Sequence, residues 1–377
     1  MDFGFSEEQR EVQALAKQIL GEQVTAEKLA AYDEYAEPRL DRELWQQLVS
    51  AGLPNVAVEE AYGGMGFGFM ELALLMEEAG RTIAPVPLAQ HCVSALLPIQ
   101  RFAPDAVKEE VLSAATRGEV LLTAAMLEHL NDDPATPLVT TATREGDAML
   151  LNGAKRAVAY AAEADAILVA AAIGDDVAVA LVPSTAEGVT LAPIQSTAFE
   201  PQYDLTLDNV RVEELGVIAW SGGAEIMAWA AQRTVAALCA HQVGATDYAM
   251  RLSASYTSER QQFGVPVATF QAVGHRMADC YIDIECLRLT TYQAASLLDA
   301  EAEASTELSI AKIWAGDCGH RVSYATQHVH GGTGIDRDYP LWRYCLWMRH
   351  NEMTLGSSTV HLAALGENIA AGGALFK

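Results

Sequence analysis

Two stretches hold residues whose types and spacing could do chemistry. In the first, Arg260 and Gln262 lead into Phe263-Gly264, and Gln271 follows. In the second, His328-Val329-His330 runs into Gly331-Gly332-Thr333-Gly334, with Asp336-Arg337-Asp338-Tyr339-Pro340 behind it. An arginine gives charge-assisted hydrogen bonds to anionic oxygens. Adjacent glycines let a ligand approach the backbone closely, because no side chain intervenes. Each feature also has an ordinary explanation: Arg260 as a surface ion-pair residue, Phe263 as core, the glycines as the turn that ends a helix. Metal and thiol chemistry are poorly served. His328 and His330 stand one residue apart without nearby Cys or Glu partners, so no metal site is expected. The six cysteines are scattered without a C-x-x-C pair and read as reduced, mostly buried thiols of a cytoplasmic protein.

The elements that must position these residues follow from periodicity. A chain of 377 residues, about half of them apolar, can bury a large core and form two or three domains. Ser6-Glu7-Glu8-Gln9 is a capping-box start, and Val12, Leu15, Ala16, Ile19 and Leu20 make a helical stripe. A glycine-rich loop at Ala61–Gly66 precedes a long helix over Met70–Gly80. From about Gly118 the pattern becomes short strands between Gly, Asp and Pro turns: Met149–Lys155, Ala166–Ala170, Val177–Pro183 and Leu205–Val212. From Gly222 onward it is helical again, with long segments around Ile226–Ser258, Thr269–Asp299, Glu307–His330 and Leu341–Ala371. Met227, Ala231, Val235, Cys239 and Val243 recur every four residues and would face a bundle core. The expectation is an α+β chain, mainly α: an N-terminal helical domain over 1–118, a middle β domain over 119–217 and a C-terminal helical bundle over 218–377.

Charge and hydropathy exclude some partners. A net charge of −26 makes nucleic acid a poor one, since phosphate binding needs clustered Lys and Arg. The first eight residues have no basic and apolar succession of a secretory signal, and no apolar run reaches membrane-spanning length. No membrane association is expected.

Several separated motifs together resemble one family. His330–Pro340 with its approach Ala325-Thr326-Gln327-His328-Val329 is similar to the C-terminal signature of flavin-dependent acyl-CoA dehydrogenases. So are Glu60–Gly66 through Glu77-Glu78-Ala79-Gly80-Arg81, the stretch Ser258–Gly264 followed by Phe270-Gln271-Ala272, and Leu308-Ser309-Ile310-Ala311-Lys312. The resemblance covers essentially the whole chain. It implies FAD as cofactor and α,β-dehydrogenation of acyl-CoA thioesters, with an electron-transfer flavoprotein or similar acceptor. In family tetramers the corresponding arginine, Gln-Ala and Gly-Gly elements reach the cofactor seated in a neighbouring subunit. The resemblance therefore implies cofactor contact for Arg260, Gln262, Phe263, Gln271, His328, Val329, Gly331 and Gly332, with His328 standing where the family has glutamine.

Two losses accompany these matches. The α-proton needs a desolvated carboxylate base, and the family places its glutamate at one of two positions, which here hold Leu355 and Gln232. Neither accepts the proton. Glu352 and Glu225 lie nearby in sequence as relocated candidates, Glu352 reading more naturally as a solvated or capping carboxylate. The family's ring-seating Thr-Glu-Pro-x-x-Gly-Ser-Asp segment is replaced by Ala125–Asp133. Its Trp/Phe-Ile-Thr segment, after Asn152-Gly153-Ala154-Lys155, has become Arg156-Ala157-Val158-Ala159. The implied protein is a subunit without a catalytic residue that completes the FAD site of a homologous catalytic partner. It resembles subunits of the α2β2 actinobacterial steroid side-chain dehydrogenases, which points to steroid side-chain CoA esters and cholesterol-type β-oxidation. The alternatives are a self-sufficient homomeric enzyme with a relocated base, and a flavin-free scaffold or binding protein.

Overall fold

The computed structural model describes residues 4–372, so the outermost residues of both expected end domains lie outside the described chain. In chain order the architecture is helical, then β, then helical. The first helices are α1 (Glu7–Gln23), α2 (Ala26–Ala30), α3 (Arg42–Ser50), α4 (Phe69–Thr82), α5 (Leu97–Phe102) and α6 (Asp105–Thr116), with a π-helical stretch Ala89–Leu96 running into α5. Strands follow as β1 (Leu122–Ala125), β2 (Thr141–Glu145), β3 (Ala148–Ala159), β4 (Ala166–Ile173), β5 (Asp176–Pro183), β6 (Val189–Ile194), β7 (Gln202–Val212) and β8 (Val217–Ala219). Helix α7 (Gly223–Glu259) leads to a short hairpin of β9 (Gln261–Gln262) and β10 (Val265–Pro266). Then come α8 (Gln271–Asp299), α9 (Ser305–His330), α10 (Leu341–Met353) and α11 (Ser358–Ala370). No described helix is long and apolar enough to cross a membrane.

By compactness the chain divides into two units. One comprises residues 31–72 and 85–234, the other 1–30, 73–84 and 235–377. In the first, one sheet runs β6-β7-β3-β2-β4-β5-β8, with β1 joined to β4 in parallel. Strand alternation sends Met149, Leu151, Ile167, Val169, Val182, Leu205 and Val210 into a single apolar core. Strands β3 and β7 pair through two register shifts, one of them between Lys155 and Val158, where Ala157 has φ +52°. That irregularity falls in the segment expected to differ from the family.

The second unit is a helical bundle. The expected capping box opens α1: the Ser6 hydroxyl accepts from the Gln9 N–H at 3.1 Å and the Gln9 side chain accepts from the Ser6 N–H at 3.0 Å. Its buried stripe is narrower than expected, with Val12, Ala16 and Leu20 inside and Leu15 exposed. Gly80 on α4 and Gly244 on α7 let two backbones touch. A Cβ at Gly80 would sit 1.9 Å from the His241 carbonyl oxygen, and one at Gly244 1.8 Å from that of Glu77. The motif Glu77–Arg81 thereby faces the bundle interior. Arg81 binds Glu77 at 2.9 Å and Glu78 at 3.0 Å and also pairs with Asp247, while Arg288 and Tyr292 converge on Glu77. These charges are buried only because each carboxylate meets a guanidinium.

A second expectation fails at the C-terminal end of the chain. The segment Leu341–Ala371 is two helices, because the chain leaves α10 at Thr354 and Leu355 adopts φ +54° before α11 begins. The five cysteines other than Cys286 are buried, and all six are free thiols.

Candidate functional site

The chemistry-bearing residues of the bundle unit collect at two turns. The first follows α7. The Arg260 N–H donates to the Tyr256 carbonyl at 2.8 Å, prolonging the helix by one bond, and the Arg260 carbonyl accepts from the Val267 N–H at 2.8 Å. Between them β9 and β10 pair in antiparallel register around Phe263-Gly264, whose φ angles are +55° and +81°. Two positive values in a two-residue connection are those of a type I′ turn, a geometry that asparagine and glycine favour and phenylalanine does not. The phenyl ring it carries is 93% exposed, against an edge contact with Phe270 at 6.1 Å. Arg260, Gln262 and Gln271 are exposed as well. Among the described residues the Arg260 guanidinium has no ion-pair partner, and the Gln262 amide bonds only to the Gln261 carbonyl. The ordinary readings of Arg260 as an ion-pair residue and Phe263 as core are not what the fold uses.

The second turn ends α9. Gly331 has φ +61° and ψ −134°, a combination open in practice to glycine alone. Gly332 has no such need: its φ is not positive and a Cβ there would meet nothing within 4 Å. Both are exposed. His328 is exposed on the last turn of α9, and Val329 is half-buried. The His328 Nδ1 lies 2.8 Å from the Arg276 guanidinium. Arginine only donates, so Nδ1 is the acceptor of this bond and the ring proton sits on Nε2, which can donate. Arg276 is a partner that sequence inspection missed, since 52 residues separate the pair.

The two base positions are occupied as the sequence requires, and each has its own setting. Leu355 is half-buried, and its carbonyl accepts from His361 Nε2 at 3.0 Å. Beneath that loop, Lys312 is buried and donates from Nζ to the Asn351 and Glu352 carbonyls at the end of α10. A cation there complements the helix dipole, while burial lowers its pKa to about 8. Glu352 is ion-paired with Arg349 at 2.9 Å. In the other unit, Gln232 is half-buried on α7, and its neighbour Arg233 lies over the Trp229 indole at 3.5 Å. Glu225 is exposed in the first turn of α7, where a carboxylate favours the helix N-terminus.

The segments expected to have lost their flavin-seating groups bind one another. The Arg156 N–H donates to the Leu127 carbonyl at 2.8 Å, bridging Ala125–Asp133 to β3. Glu128 is 3% exposed, and its carboxylate accepts from the backbone N–H groups of Leu138 (2.7 Å), Val139 (2.7 Å) and Thr140 (3.0 Å) and from Lys155 Nζ (2.9 Å). Burial raises its pKa, but the bonds from Thr140, Lys155 and Val139 outweigh it and hold Glu128 down at about 2. For Lys155 the balance is reversed: burial dominates and its pKa is lowered despite Glu128. The carboxylate with its backbone donors is thus the favourable member of the pair. Sequence inspection noted both residues but not their contact, which spans 27 positions.

Comparison with known proteins decides the family. Residues 6–119 match the model of the acyl-CoA dehydrogenase N-terminal domain, and residues 221–370 that of the acyl-CoA dehydrogenase C-terminal domain. The chain belongs to the acyl-CoA dehydrogenase family. It is 32% identical to acyl-CoA dehydrogenase FadE27 of Mycobacterium tuberculosis over 98% of this chain and 99% of that protein. Among solved structures, it superposes on a chain of the ChsE4–ChsE5 complex from Mycobacterium tuberculosis with a TM-score of 0.92 at 32% identity, covering 99% and 100% of the two chains. A chain of the Tcur3481–Tcur3483 steroid acyl-CoA dehydrogenase, a G363A variant, matches with a TM-score of 0.89 at 38% identity over 97% and 98%. The mainly helical α+β architecture expected from periodicity is that of this oxidoreductase family.

Proposed function

We propose that this chain is the non-catalytic subunit of a heteromeric FAD-dependent acyl-CoA dehydrogenase, one that completes the cofactor site of a homologous catalytic partner. The observation that carries the reading is the contrast between two half-sites. The turn residues are exposed, with an Arg260 guanidinium and a glycine at 332 that nothing among the described residues engages or requires. The segments that would seat a flavin ring are instead joined to each other through Leu127–Arg156 and Glu128–Lys155. The turns therefore fit the pyrophosphate of a cofactor held mainly by another subunit, and the β segments do not fit its ring. Bound FAD supplies the two-electron acceptor for the α,β-dehydrogenation. The chain's own residues would bind and orient: Arg260 as a charged donor to phosphate oxygen, Gln262, Gln271 and His328 as further donors, Phe263 and Val329 as apolar contacts, and Gly331-Gly332 as an unobstructed backbone. With leucine at 355 and glutamine at 232, the carboxylate base would come from the partner.

The similarity to chains of two named complexes, one described as a steroid acyl-CoA dehydrogenase, supports an α2β2 assembly acting on steroid side-chain CoA esters. Its electrons would pass to an electron-transfer flavoprotein or similar acceptor. Counting flavin against protein tests the reading. An α2β2 complex should hold one FAD per pair of unlike chains, this chain alone should be colourless, and Arg260→Ala should release FAD about ten- to a hundredfold more readily. One flavin per chain, or flavin-dependent turnover by this chain alone, would refute it.

A further inference from the structure

The two turns are joined by a cluster that touches neither exposed face. His330, the last residue of α9, is 4% exposed. Its Nδ1 lies 2.7 Å from the Thr326 carbonyl, which can only accept, so Nδ1 carries the ring proton. Nε2 is then an acceptor, and the Tyr339 hydroxyl lies 3.1 Å from it. Burial lowers the His330 pKa against the opposing bond to Thr326, which keeps the ring in this neutral tautomer. The Tyr256 ring stacks on the imidazole at a centroid distance of 4.3 Å and an interplanar angle of 25°. The Tyr256 hydroxyl reaches the His330 carbonyl and the Thr333 hydroxyl, both at 3.4 Å. Tyr256 is also the residue whose carbonyl receives the Arg260 N–H. Gly334 closes the arrangement from below, since a Cβ there would lie 3.0 Å from the His330 Cβ.

Deepening the clamp reading given above, we propose that His330 is the positioning residue that holds the Arg260 hairpin and the Gly331-Gly332 turn in one relative placement, acting through Tyr256 on one side and Tyr339 on the other. The imidazole touches no cofactor. It links the end of α7 to the end of α9 by a stack and fixes the Asp336–Pro340 stretch by a hydrogen bond. A guanidinium and a backbone turn can grip the same pyrophosphate only if their separation is set beforehand, because ordering them at the moment of binding costs affinity.

The test uses the complex of this chain with the partner that co-purifies with it, FAD as the probe, and two substitutions. His330→Phe keeps the stack on Tyr256 and removes both ring nitrogens, while Tyr339→Phe removes a single hydroxyl. Tyr339→Phe should speed FAD release by about three- to tenfold, the effect of one neutral hydrogen bond, and His330→Phe, which loses the bonds of both ring nitrogens, by at least as much. In an Arg260→Ala background the same substitutions should change release by less than about twofold, since residues acting through one group are not additive. Hydrogen exchange at residues 260–266 of the otherwise unaltered chain should rise with Tyr339→Phe, which places the effect at the hairpin. Equal losses in both backgrounds, or a lowered melting temperature with FAD release unchanged, would make His330 merely structural and overturn the proposal. If Arg260→Ala alone leaves FAD release unchanged, the clamp reading itself fails, and this positioning role falls with it. His330 would be refuted on its own where Arg260→Ala has its effect and Tyr339→Phe either has none or acts equally in both backgrounds.

Discussion

Replacing Glu128 with glutamine should loosen the segment between β1 and β2 far more than replacing Lys155 with methionine. The carboxylate accepts three backbone N–H groups at 2.7, 2.7 and 3.0 Å and the Lys155 ammonium at 2.9 Å, and both side chains are 1% exposed. Glu128→Gln leaves the ammonium buried without an anion, a change that costs about 3–5 kcal/mol when one partner of a buried pair is removed. Lys155→Met leaves a carboxylate that still has its three donors, so the loss is that of one charged hydrogen bond, about 1.5–3 kcal/mol. The amides of Leu138, Val139 and Thr140 report the difference directly. At about 1.4 kcal/mol per factor of ten, their exchange protection should fall about a hundredfold or more in Glu128→Gln and about ten- to a hundredfold in Lys155→Met. Acid should mimic the first change. Because folding lowers the Glu128 pKa from 4.5 to about 2, its stabilisation is complete above pH 4.5 and is lost as pH falls through about 2. The cost of burying the Lys155 ammonium has the opposite sign: it is present at neutral pH and is relieved as pH rises through its lowered value. Equal protection in the two variants at neutral pH, or a larger loss in Lys155→Met, would refute the assignment of the stabilisation to the carboxylate.

The relocated-base alternative is tested by Glu352→Ala and Glu225→Ala, which should leave turnover of the complex nearly unchanged. A drop of about a hundredfold with flavin retained would identify either as the base. The two glycines of the turn should separate by assay: Gly331→Ala forces a side chain into φ +61°, ψ −134° and should cost about 1–3 kcal/mol of stability in thermal or denaturant unfolding. Gly332→Ala meets nothing within 4 Å among the described residues and should leave unfolding unchanged while speeding FAD release from the complex.

What the sequence determined by itself was whatever depends on neighbours along the chain. The Ser6–Gln9 capping box, the spans of α7, α8 and α9 and the strand run after Gly118 were legible, because caps, turns and a 3.6- or 2-residue period are local signals. The identities at 355 and 232 needed no structure at all. The break at Thr354–Ser357 inside an expected single helix did carry a local signal: Gly356, at φ +93°, is a helix-ending residue type, and Ser357 stands at the N-cap of α11. What the sequence did not show is that Leu355 itself takes the left-handed region, with its carbonyl accepting from His361. Tertiary structure alone decided that Phe263 is exposed while Lys155 is buried, against the usual preference of each residue type. It also paired Glu128 with Lys155, Arg276 with His328 and Tyr256 with His330 across 27, 52 and 74 positions. Such contacts are set by how helices and strands pack, and no local pattern encodes which distant polar group will meet a buried one. A buried charge must nevertheless find a partner, so the fold turns residues that look interchangeable in sequence into a closed β segment and an exposed pair of turns.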